Sequence, residues 1–230
     1  KENILIVTNE LYKQLVIDQL GVAEDQVLCE PSRRNTAPCI AFANYKIAKQ
    51  NPNANIIVAP ADHLILKEQK FVEVMEKALS FTAENDALVT LGISPSRPDT
   101  GYGYIQFDDS DDADIKKVKT FTEKPDLELA KQFLESGDFS WNSGMFIWSL
   151  ASINKAFENL LPEMDSLFKE QKDAFHTADE TEAIEQIYSV CKSISIDYGI
   201  MEKSENVYVI SADIGWSDLG TWGSIYTHLD

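Results

Sequence analysis

Short apolar runs rich in β-branched residues alternate, along the first half of the chain, with stretches in which apolar residues recur every three or four positions. Such runs predict strands that are buried on both faces, and such stretches predict helices with one apolar side. The predicted strands are Ile4–Thr8, Gln26–Cys29, Ile56–Val58 and Ala87–Ile93, and the predicted helices are Leu11–Leu20, Ala37–Lys49 and Gln69–Thr82. This alternation predicts an α/β fold with a mostly parallel, doubly wound sheet and helices on both of its faces.

The second half of the chain combines β segments with helices at less regular spacing. Its predicted strands are Tyr102–Phe107, Ile115–Phe121, Ser140–Leu150 and Asn206–Ile210. Its predicted helices are Leu127–Ser136, Ser152–Leu161, Glu163–Lys172, Glu180–Ser189, Asp197–Lys203 and Leu219–Leu229. No internal repeat and no low-complexity linker interrupts the sequence, so we expect residues 1–230 to form a single domain.

The acidic balance of the chain limits the class of partner. The 230 residues include 38 acidic and 20 basic side chains, which gives a formal net charge of −18. A polyanion of this kind repels nucleic acid and anionic membrane surfaces, so neither is expected as a partner. Anionic small molecules remain compatible with this charge, because a bound cation or a local Arg/Lys cluster reverses the field inside a cleft.

The three cysteines, Cys29, Cys39 and Cys191, are an odd number without C-x-x-C spacing. We interpret them as reduced core thiols of a cytoplasmic protein rather than as a catalytic set. No stretch has the roughly 18 consecutive apolar residues that a membrane helix needs. The sequence opens on Lys-Glu without an initiator Met, and we expect it to be part of a longer chain.

An aspartate follows the predicted strand Ile56–Val58. Pro60 ends that strand because proline cannot donate a ladder hydrogen bond, which leaves Asp62 just beyond its carboxyl end. Ligands of open α/β sheets bind in this crevice, and a carboxylate there suits a divalent cation held against phosphates. Asp218 also stands at a predicted strand end, and Mg²⁺ typically takes one or two protein carboxylates together with water and substrate oxygens. Each aspartate taken alone also fits a helix cap or a turn.

Other polar or small residues stand in or beside predicted strands. Thr122-Glu-Lys-Pro125 places Glu123, which suits sugar hydroxyls, beside Lys124, which suits a phosphate oxygen; a surface ion pair is the alternative. Asn142 precedes an apolar strand, where its amide holds a hydroxyl or satisfies a turn. Gly103 within a predicted strand indicates either a bulge or a ligand that rests against bare backbone.

Two motifs carry little weight. Asp109-Ser-Asp111 has the D-x-D spacing that metal-using glycosyltransferases employ. It lies in an acidic turn between two β segments, and we interpret it as solvated. His63 has no Cys or His partner at metal spacing and is expected to be structural.

Seven strings occur in order along nearly the whole chain: Glu30–Pro38, Ala59–His63, Gly101–Ile105, Phe121–Pro125, Trp141–Phe146, Ser195–Lys203 and Gly215–Trp222. Together they resemble the bacterial mannose-1-phosphate guanylyltransferases. The strings E-P-x-x-R-N-T-A-P and G-W-S-D-x-G-x-W are specific to that branch, whereas E-K-P and N-S-G recur across sugar nucleotidyltransferases. The resemblance implies a Rossmann-like nucleotide-diphospho-sugar transferase fold with a mixed, mostly parallel sheet. It also implies the reaction GTP + mannose 1-phosphate → GDP-mannose + pyrophosphate.

The resemblance implies roles for individual residues. Asp62 and Asp218 match the Mg²⁺ ligands of the family, and Lys124 matches the lysine on the sugar phosphate. The substrate-binding candidates are Glu123 and Asn142 on the sugar hydroxyls, Arg33, Asn35 and Thr36 near the guanine, and Gly103 and Asp197. Asp197 and Lys203 lie in a family motif that assigns them no definite role.

One departure from the family concerns its phosphate-binding loop. Members begin with a strand and a glycine-rich loop, G-G-x-G-x-R-x-x-P, that cradles the triphosphate on backbone N–H groups. The present sequence starts in what would be the second β-α unit, so we expect feeble or no activity from this chain alone. It also stops before the C-terminal segment with which many members dimerise, and the family implies a homo-oligomeric parent enzyme.

Two other interpretations stay open. The first is a sister specificity, such as dTTP with glucose 1-phosphate, and the Arg33–Pro38 loop argues against it. The second is a non-catalytic domain that binds a sugar nucleotide, and the retained pair Asp62 and Asp218 argues against that one.

Overall fold

The computed structural model describes residues 2–108, 113–220 and 222–226. The strands are β1 (Ile6–Asn9), β2 (Val27–Glu30), β3 (Asn55–Val58), β4 (His63–Ile65), β5 (Leu88–Ile93), β6 (Tyr104–Phe107), β7 (Ile115–Thr122), β8 (Phe139–Ser149), β9 (Val207–Ser211) and β10 (Trp216–Asp218). The helices are α1 (Lys13–Leu20), α2 (Thr36–Gln50), α3 (Glu68–Glu84), α4 (Leu127–Ser136), α5 (Leu150–Leu160), α6 (Pro162–Glu170), α7 (Glu180–Val190) and α8 (Trp222–Tyr226). None of the helices described is long and apolar enough to cross a membrane.

Local chemistry sets several element ends where the sequence predicts them. The Asp126 carboxylate accepts from the backbone N–H of Leu129 at 2.9 Å and so caps α4. Gly137 ends the same helix at φ +77°, and Gly21 ends α1 at φ +59°, because glycine adopts the left-handed region without a steric cost. Pro162 occupies the first turn of α6, where its missing N–H costs nothing.

Two predicted helices differ from the structure. Residues predicted as the helix Asp197–Lys203 form a π-helical turn over Asp197–Met201. In place of the predicted helix Leu219–Leu229 the structure has α8 over Trp222–Tyr226, and the short strand β10 precedes it. The motif Asp109-Ser-Asp111 lies outside the described residues.

The chain divides into two compact units. The first comprises Lys1–Ala54 and Asn154–Ile200, and the second comprises Asn55–Ile153 and Met201–Asp230. In the first unit β1 and β2 form a parallel pair, and aromatic side chains of α2 pack within the unit, Tyr45 against Phe168 with ring centroids 5.5 Å apart.

The second unit contains a six-stranded sheet in the order β3-β8-β5-β9-β7-β6, with β8 also paired to β6, and a separate two-stranded sheet of β4 and β10. The long strand β8 organises the larger sheet, because its two ends pair with different neighbours. Its Ile147 and Trp148 are fully buried, and a core of α3, β5, β8 and β9 side chains surrounds Ile147. This core provides a rigid support for the loops that connect the strands.

The α/β class and the mixed sheet are confirmed, but two predictions about strand pairing are wrong. Among the described strands only β1 with β2 and β5 with β9 are parallel, so the sheet is not mostly parallel. The run Ile56–Val58 predicts a strand buried on both faces; in the part of the chain that the structure describes β3 pairs with β8 alone and leaves Ile57 40% exposed. An apolar run indicates that its side chains are to be buried. The direction and number of its neighbouring strands depend on pairing with distant segments of the chain.

Candidate active site

Strand pairing brings Asp62 and Asp218 side by side in the second unit. β4 and β10 run antiparallel, with Asp218 opposite His63, and the backbone N–H of Leu219 donates to the carbonyl oxygen of Asp62 at 3.1 Å. Asp62 lies in the turn before β4, and Asp218 is the last residue of β10, so neither stands at the start of a helix. The Asp62 side chain is 66% exposed, and one oxygen of Asp218 accepts from the backbone N–H of Gly220. The arrangement joins the two aspartates through the backbone at one end of a two-stranded sheet, and the charges of both carboxylates act on His63.

His63 lies beside both carboxylates. Its Nδ1 accepts a hydrogen bond from Nε1 of Trp216 at 3.0 Å, which assigns the proton to Nε2 in the neutral ring. Nε2 lies 3.9 Å from an Asp62 carboxylate oxygen. Burial lowers the pKa of His63, while the charges of Asp62 and Asp218 act in the opposite direction. The bond to Trp216 ties β4 to β10 and supports the structural role predicted for this histidine.

A bulge in β8 positions Asn142. Gly92 lies opposite Asn142, but Thr90, two residues earlier on β5, lies opposite Phe146, so β8 carries extra residues between these points. Gly144 occupies the bulge at φ +73°. The Asn142 Oδ1 atom accepts from Thr90 Oγ1 at 2.9 Å and from the Gly144 backbone N–H at 3.1 Å. The bulge re-aims this part of β8, and the two hydrogen bonds hold the amide in one orientation.

Glu123, Gly103 and Asn142 converge. A methyl group added at Gly103 would lie 2.5 Å from Glu123 Oε2 and 3.3 Å from the Cβ atom of Asn142. The backbone N–H of Asn142 donates to the carbonyl oxygen of Gly103 at 2.8 Å. Gly103 lies just before β6 rather than inside it, and its bare α-carbon makes room for the Glu123 carboxylate. The group that approaches the backbone of Gly103 in this structure is therefore the Glu123 carboxylate of the same chain.

Lys124 follows Glu123 and is far more exposed to solvent. Its φ of +47° lies in the left-handed region, which a residue with a Cβ adopts at a cost. Its side chain is 58% exposed, whereas that of Glu123 is 10% exposed, and Lys124 Nζ lies 3.4 Å from Glu123 Oε1. The pair is therefore not an ordinary surface ion pair, since its carboxylate is almost buried.

An aromatic cluster that the sequence did not predict lies near Asp218. Tyr102 contacts the rings of Trp141 and Trp216, with centroids 5.1 Å and 5.3 Å apart, and the Arg97 guanidinium lies 5.3 Å from the Trp141 centroid. Burial and then the charge of Asp218 raise the pKa of Tyr102. Three of the quoted strings contain these Tyr and Trp residues, but no local sequence pattern indicates that their rings are in contact.

In the first unit, the Arg33–Thr36 loop is tied to the segment that follows α7. Ile196 N–H donates to Thr36 Oγ1 at 2.9 Å, and Ile194 N–H donates to the carbonyl oxygen of Arg34 at 3.3 Å. The loop ends at Asn35, with φ +69°, whose side chain accepts from Thr36 N–H and caps α2. Asp197 directly follows this anchored segment, as the first residue of the π-helical turn. The structure thus joins Asp197 to the loop that carries Asn35 and Thr36.

The two arginines of this loop differ. Arg34 donates through Nε to the carbonyl oxygen of Tyr188 at 3.0 Å and through Nη2 to that of Ser189 at 3.4 Å, so its guanidinium holds the end of α7. Arg33 is exposed to solvent. Arg33 is the residue predicted to contact substrate, whereas the structure shows that Arg34 is the residue that anchors the loop.

The candidates therefore form two groups. The second unit holds Asp62, Gly103, Glu123, Lys124, Asn142 and Asp218, and the first unit holds Arg33, Asn35, Thr36 and Asp197. Among the residues that the structure describes, no group of three or more His, Cys, Asp or Glu side chains could hold a metal ion. A cation at Asp62 and Asp218 would accordingly complete its coordination with water and ligand oxygens.

Comparison with known sequences gives a consistent picture. The nucleotidyl transferase family matches residues 1–229. A mannose-1-phosphate guanylyltransferase of Escherichia coli is 36% identical over 232 residues, which cover 96% of this chain and 50% of that protein. A mannose-1-phosphate guanylyltransferase of Sinorhizobium fredii is 37% identical over 227 residues, which cover 96% of this chain and 44% of that protein. The chain spans about half the length of the curated relatives it matches.

Two solved structures resemble the chain closely. A Thermus thermophilus protein described as a mannose-1-phosphate geranyltransferase superposes with a TM-score of 0.82 at 27% identity, over 95% of this chain and 61% of that one. A Helicobacter pylori protein described as a mannose-6-phosphate isomerase superposes with a TM-score of 0.78 at 27% identity, over 93% of this chain and 84% of that one. The arrangement of elements is thus shared with these two proteins.

Proposed function

The chain belongs to the nucleotidyl transferase family, and on this premise we propose that it takes part in the reaction of GTP with mannose 1-phosphate to give GDP-mannose and pyrophosphate. The curated relatives described above are named for this sugar phosphate and this transferred group. The observation that carries the proposal is the convergence of Glu123, Gly103 and Asn142 in the same unit as Asp62 and Asp218, whose backbones the pairing of β4 with β10 brings together. A sugar phosphate needs hydroxyl partners and a charged partner for its phosphate, and this unit offers both.

The chemistry requires no protein nucleophile. An oxygen of the sugar phosphate attacks the α-phosphorus of GTP, and a new P–O bond forms as the bond to the bridging oxygen breaks; pyrophosphate leaves with the electron pair. The contribution of the protein is to position the two phosphates in line and to neutralise their charge.

On the sugar side, we assign the Glu123 carboxylate and the Asn142 amide to hydroxyl groups of the mannose. Asn142 Oδ1 is fixed by Thr90 and Gly144, so the orientation of the amide is set before a ligand arrives. Lys124, with its exposed ammonium, is assigned to the sugar phosphate, where it acts as a point charge.

Asp62 and Asp218 fit a divalent cation, and we propose Mg²⁺. The fit rests on two aspartates whose backbones strand pairing brings together and of which Asp62 is largely exposed, since Mg²⁺ takes one or two carboxylates and leaves its other positions to water and phosphate oxygens. When bound, the ion neutralises phosphate charge as a Lewis acid. His63 and Trp216 hold the two strands that carry these carboxylates.

On the nucleotide side, we assign Arg33, Asn35, Thr36 and Asp197 to the guanine end of GTP. The support is the exposure of Arg33 and Asn35 and the anchoring of the loop through Thr36 and Arg34. The three cysteines are free thiols, in agreement with the cytoplasmic location that we propose.

Calorimetric titration of the full chain with GDP-mannose, with and without Mg²⁺, tests the proposal. We expect Mg²⁺ to tighten binding, and we expect Asp62→Asn and Asp218→Asn each to weaken the Mg²⁺-dependent binding about tenfold, ~1.4 kcal/mol. Asp213→Asn is the matched control, because the Asp213 carboxylate is 85% exposed and lies 2.6 Å from Lys67 Nζ.

The other outcomes separate the competing functions. Binding that is indifferent to Mg²⁺ and to both substitutions would overturn the transferase proposal in favour of a domain that only binds a sugar nucleotide. Tighter binding of dTDP-glucose than of GDP-mannose would overturn the substrate assignment and favour the sister specificity.

A further inference from the structure

A carboxylate from a distant part of the second unit binds the backbone of the Glu123–Lys124 turn. The backbone N–H of Glu123 donates to Oε1 of Glu202 at 2.9 Å. Glu202 directly follows the π-helical turn Asp197–Met201, in the string whose function the sequence left unassigned. A hydrogen bond from a backbone N–H to a carboxylate is charge-assisted and about twice as strong as a neutral one.

The turn that receives this bond needs support. β7 ends at Thr122, and of the next two side chains that of Glu123 is almost buried whereas that of Lys124 is exposed. Lys124 has φ +47°, a conformation that persists in a non-glycine residue only where the surroundings enforce it. The Glu123 carboxylate lies against the α-carbon of Gly103, so a small rotation of the turn would withdraw it.

We propose that Glu202 is a positioning residue that fixes this turn and thereby sets the places of Glu123 and Lys124 on the sugar phosphate. The inference rests on the proposed function for the roles of Glu123 and Lys124, but the hydrogen bond itself does not. Glu202 acts through the backbone of Glu123 and touches no substrate. A motif outside the sugar-binding strings therefore contributes to sugar binding.

Three variants test the proposal in the full chain. Glu202→Ala removes the acceptor, Glu202→Gln keeps a neutral Oε1 acceptor of the same length, and Glu205→Ala removes a neighbouring exposed carboxylate. Affinities for GDP-mannose and for GDP are measured by calorimetry in the presence of Mg²⁺. The exchange rate of the Glu123 amide hydrogen is measured by NMR.

We expect Glu202→Ala to weaken GDP-mannose binding about tenfold, ~1.4 kcal/mol, and to leave GDP binding unchanged, because the turn serves the sugar and not the nucleotide. The Glu123 amide should exchange about tenfold faster in this variant, since the bond that protects it is lost. Glu202→Gln should restore most of both values, and Glu205→Ala should match the unsubstituted chain. A general loss of structure would instead weaken both ligands alike.

Two results would overturn the inference. The first is unchanged amide exchange in Glu202→Ala, which would show that the bond does not hold the turn. The second is faster exchange with unchanged GDP-mannose affinity, which would show that the turn does not position a sugar contact. Absence of GDP-mannose binding by the unsubstituted chain would overturn the proposed function and with it the sugar role, and amide exchange would then decide alone whether Glu202 holds the turn.

Discussion

Replacing Gly103 by alanine tests the sugar site most directly. The added methyl group would lie 2.5 Å from Glu123 Oε2, roughly 1 Å inside the 3.5 Å at which non-bonded atoms pack well. It would also lie 3.3 Å from the Cβ atom of Asn142, whose side chain cannot retreat easily because Thr90 holds it. The Glu123 carboxylate is the end of a flexible side chain, so it is the group that moves.

This movement should affect binding far more than stability. Gly103 has no left-handed φ, and the lower entropy of the unfolded chain offsets part of the crowding, so we expect the free energy of unfolding to change by less than about 1 kcal/mol. A displacement of about 1 Å at a substrate-positioning group costs up to ~10²-fold. We therefore expect the affinity for GDP-mannose to fall at least tenfold, with GDP binding retained.

The assay compares calorimetric titrations with urea unfolding for Gly103→Ala and for Gly101→Ala. Gly101 is the control, because its added methyl group would meet only the Asp99 carboxylate, at 3.2 Å. Unchanged GDP-mannose affinity in Gly103→Ala would refute the assignment of Glu123 to the sugar. Equal losses in both variants would show that the loop, and not the Glu123 carboxylate, is responsible.

Three further predictions concern stability. Burial raises the pKa of Glu30, so stability is lost as pH rises from about 4.3 through the folded pKa; Glu30→Gln, which keeps the acceptor for Tyr188 Oη at 2.8 Å, should gain stability relative to the unsubstituted chain as pH rises above about 4.3, measured by urea unfolding. Thr90→Val removes one of the two donors to Asn142 Oδ1, the other being the Gly144 backbone N–H, and should cost about 0.5–1.5 kcal/mol and weaken GDP-mannose binding; unchanged affinity would contradict the role of the amide. Ile147→Ala opens a cavity at a fully buried position of β8 and should cost about 2–5 kcal/mol, measured by thermal unfolding.

The sequence predicted well those features that depend on nearby residues. Asp126 and Gly137 bound α4 at the predicted ends Leu127 and Ser136, because a cap is satisfied within one turn of chain. The quoted strings identified Asp62 and Glu123 as candidates, and the structure places both in the second unit at the ends of strands or in turns. Periodicity also located nearly every strand and helix to within a few residues, since it reports which side chains must be buried.

Local sequence patterns did not predict which strands pair or which side chains contact one another. The pairing of β4 with β10 sets Asp218 beside His63, and the bulge in β8 aims Asn142, although no local pattern marks either. The sequence alone did not show that Arg34 anchors α7 or that Glu202 binds the turn at Glu123. Residues alone determined the elements and the candidate chemistry, because propensity and burial are local; only the tertiary structure decided which groups meet, because pairing between distant segments depends on the whole chain.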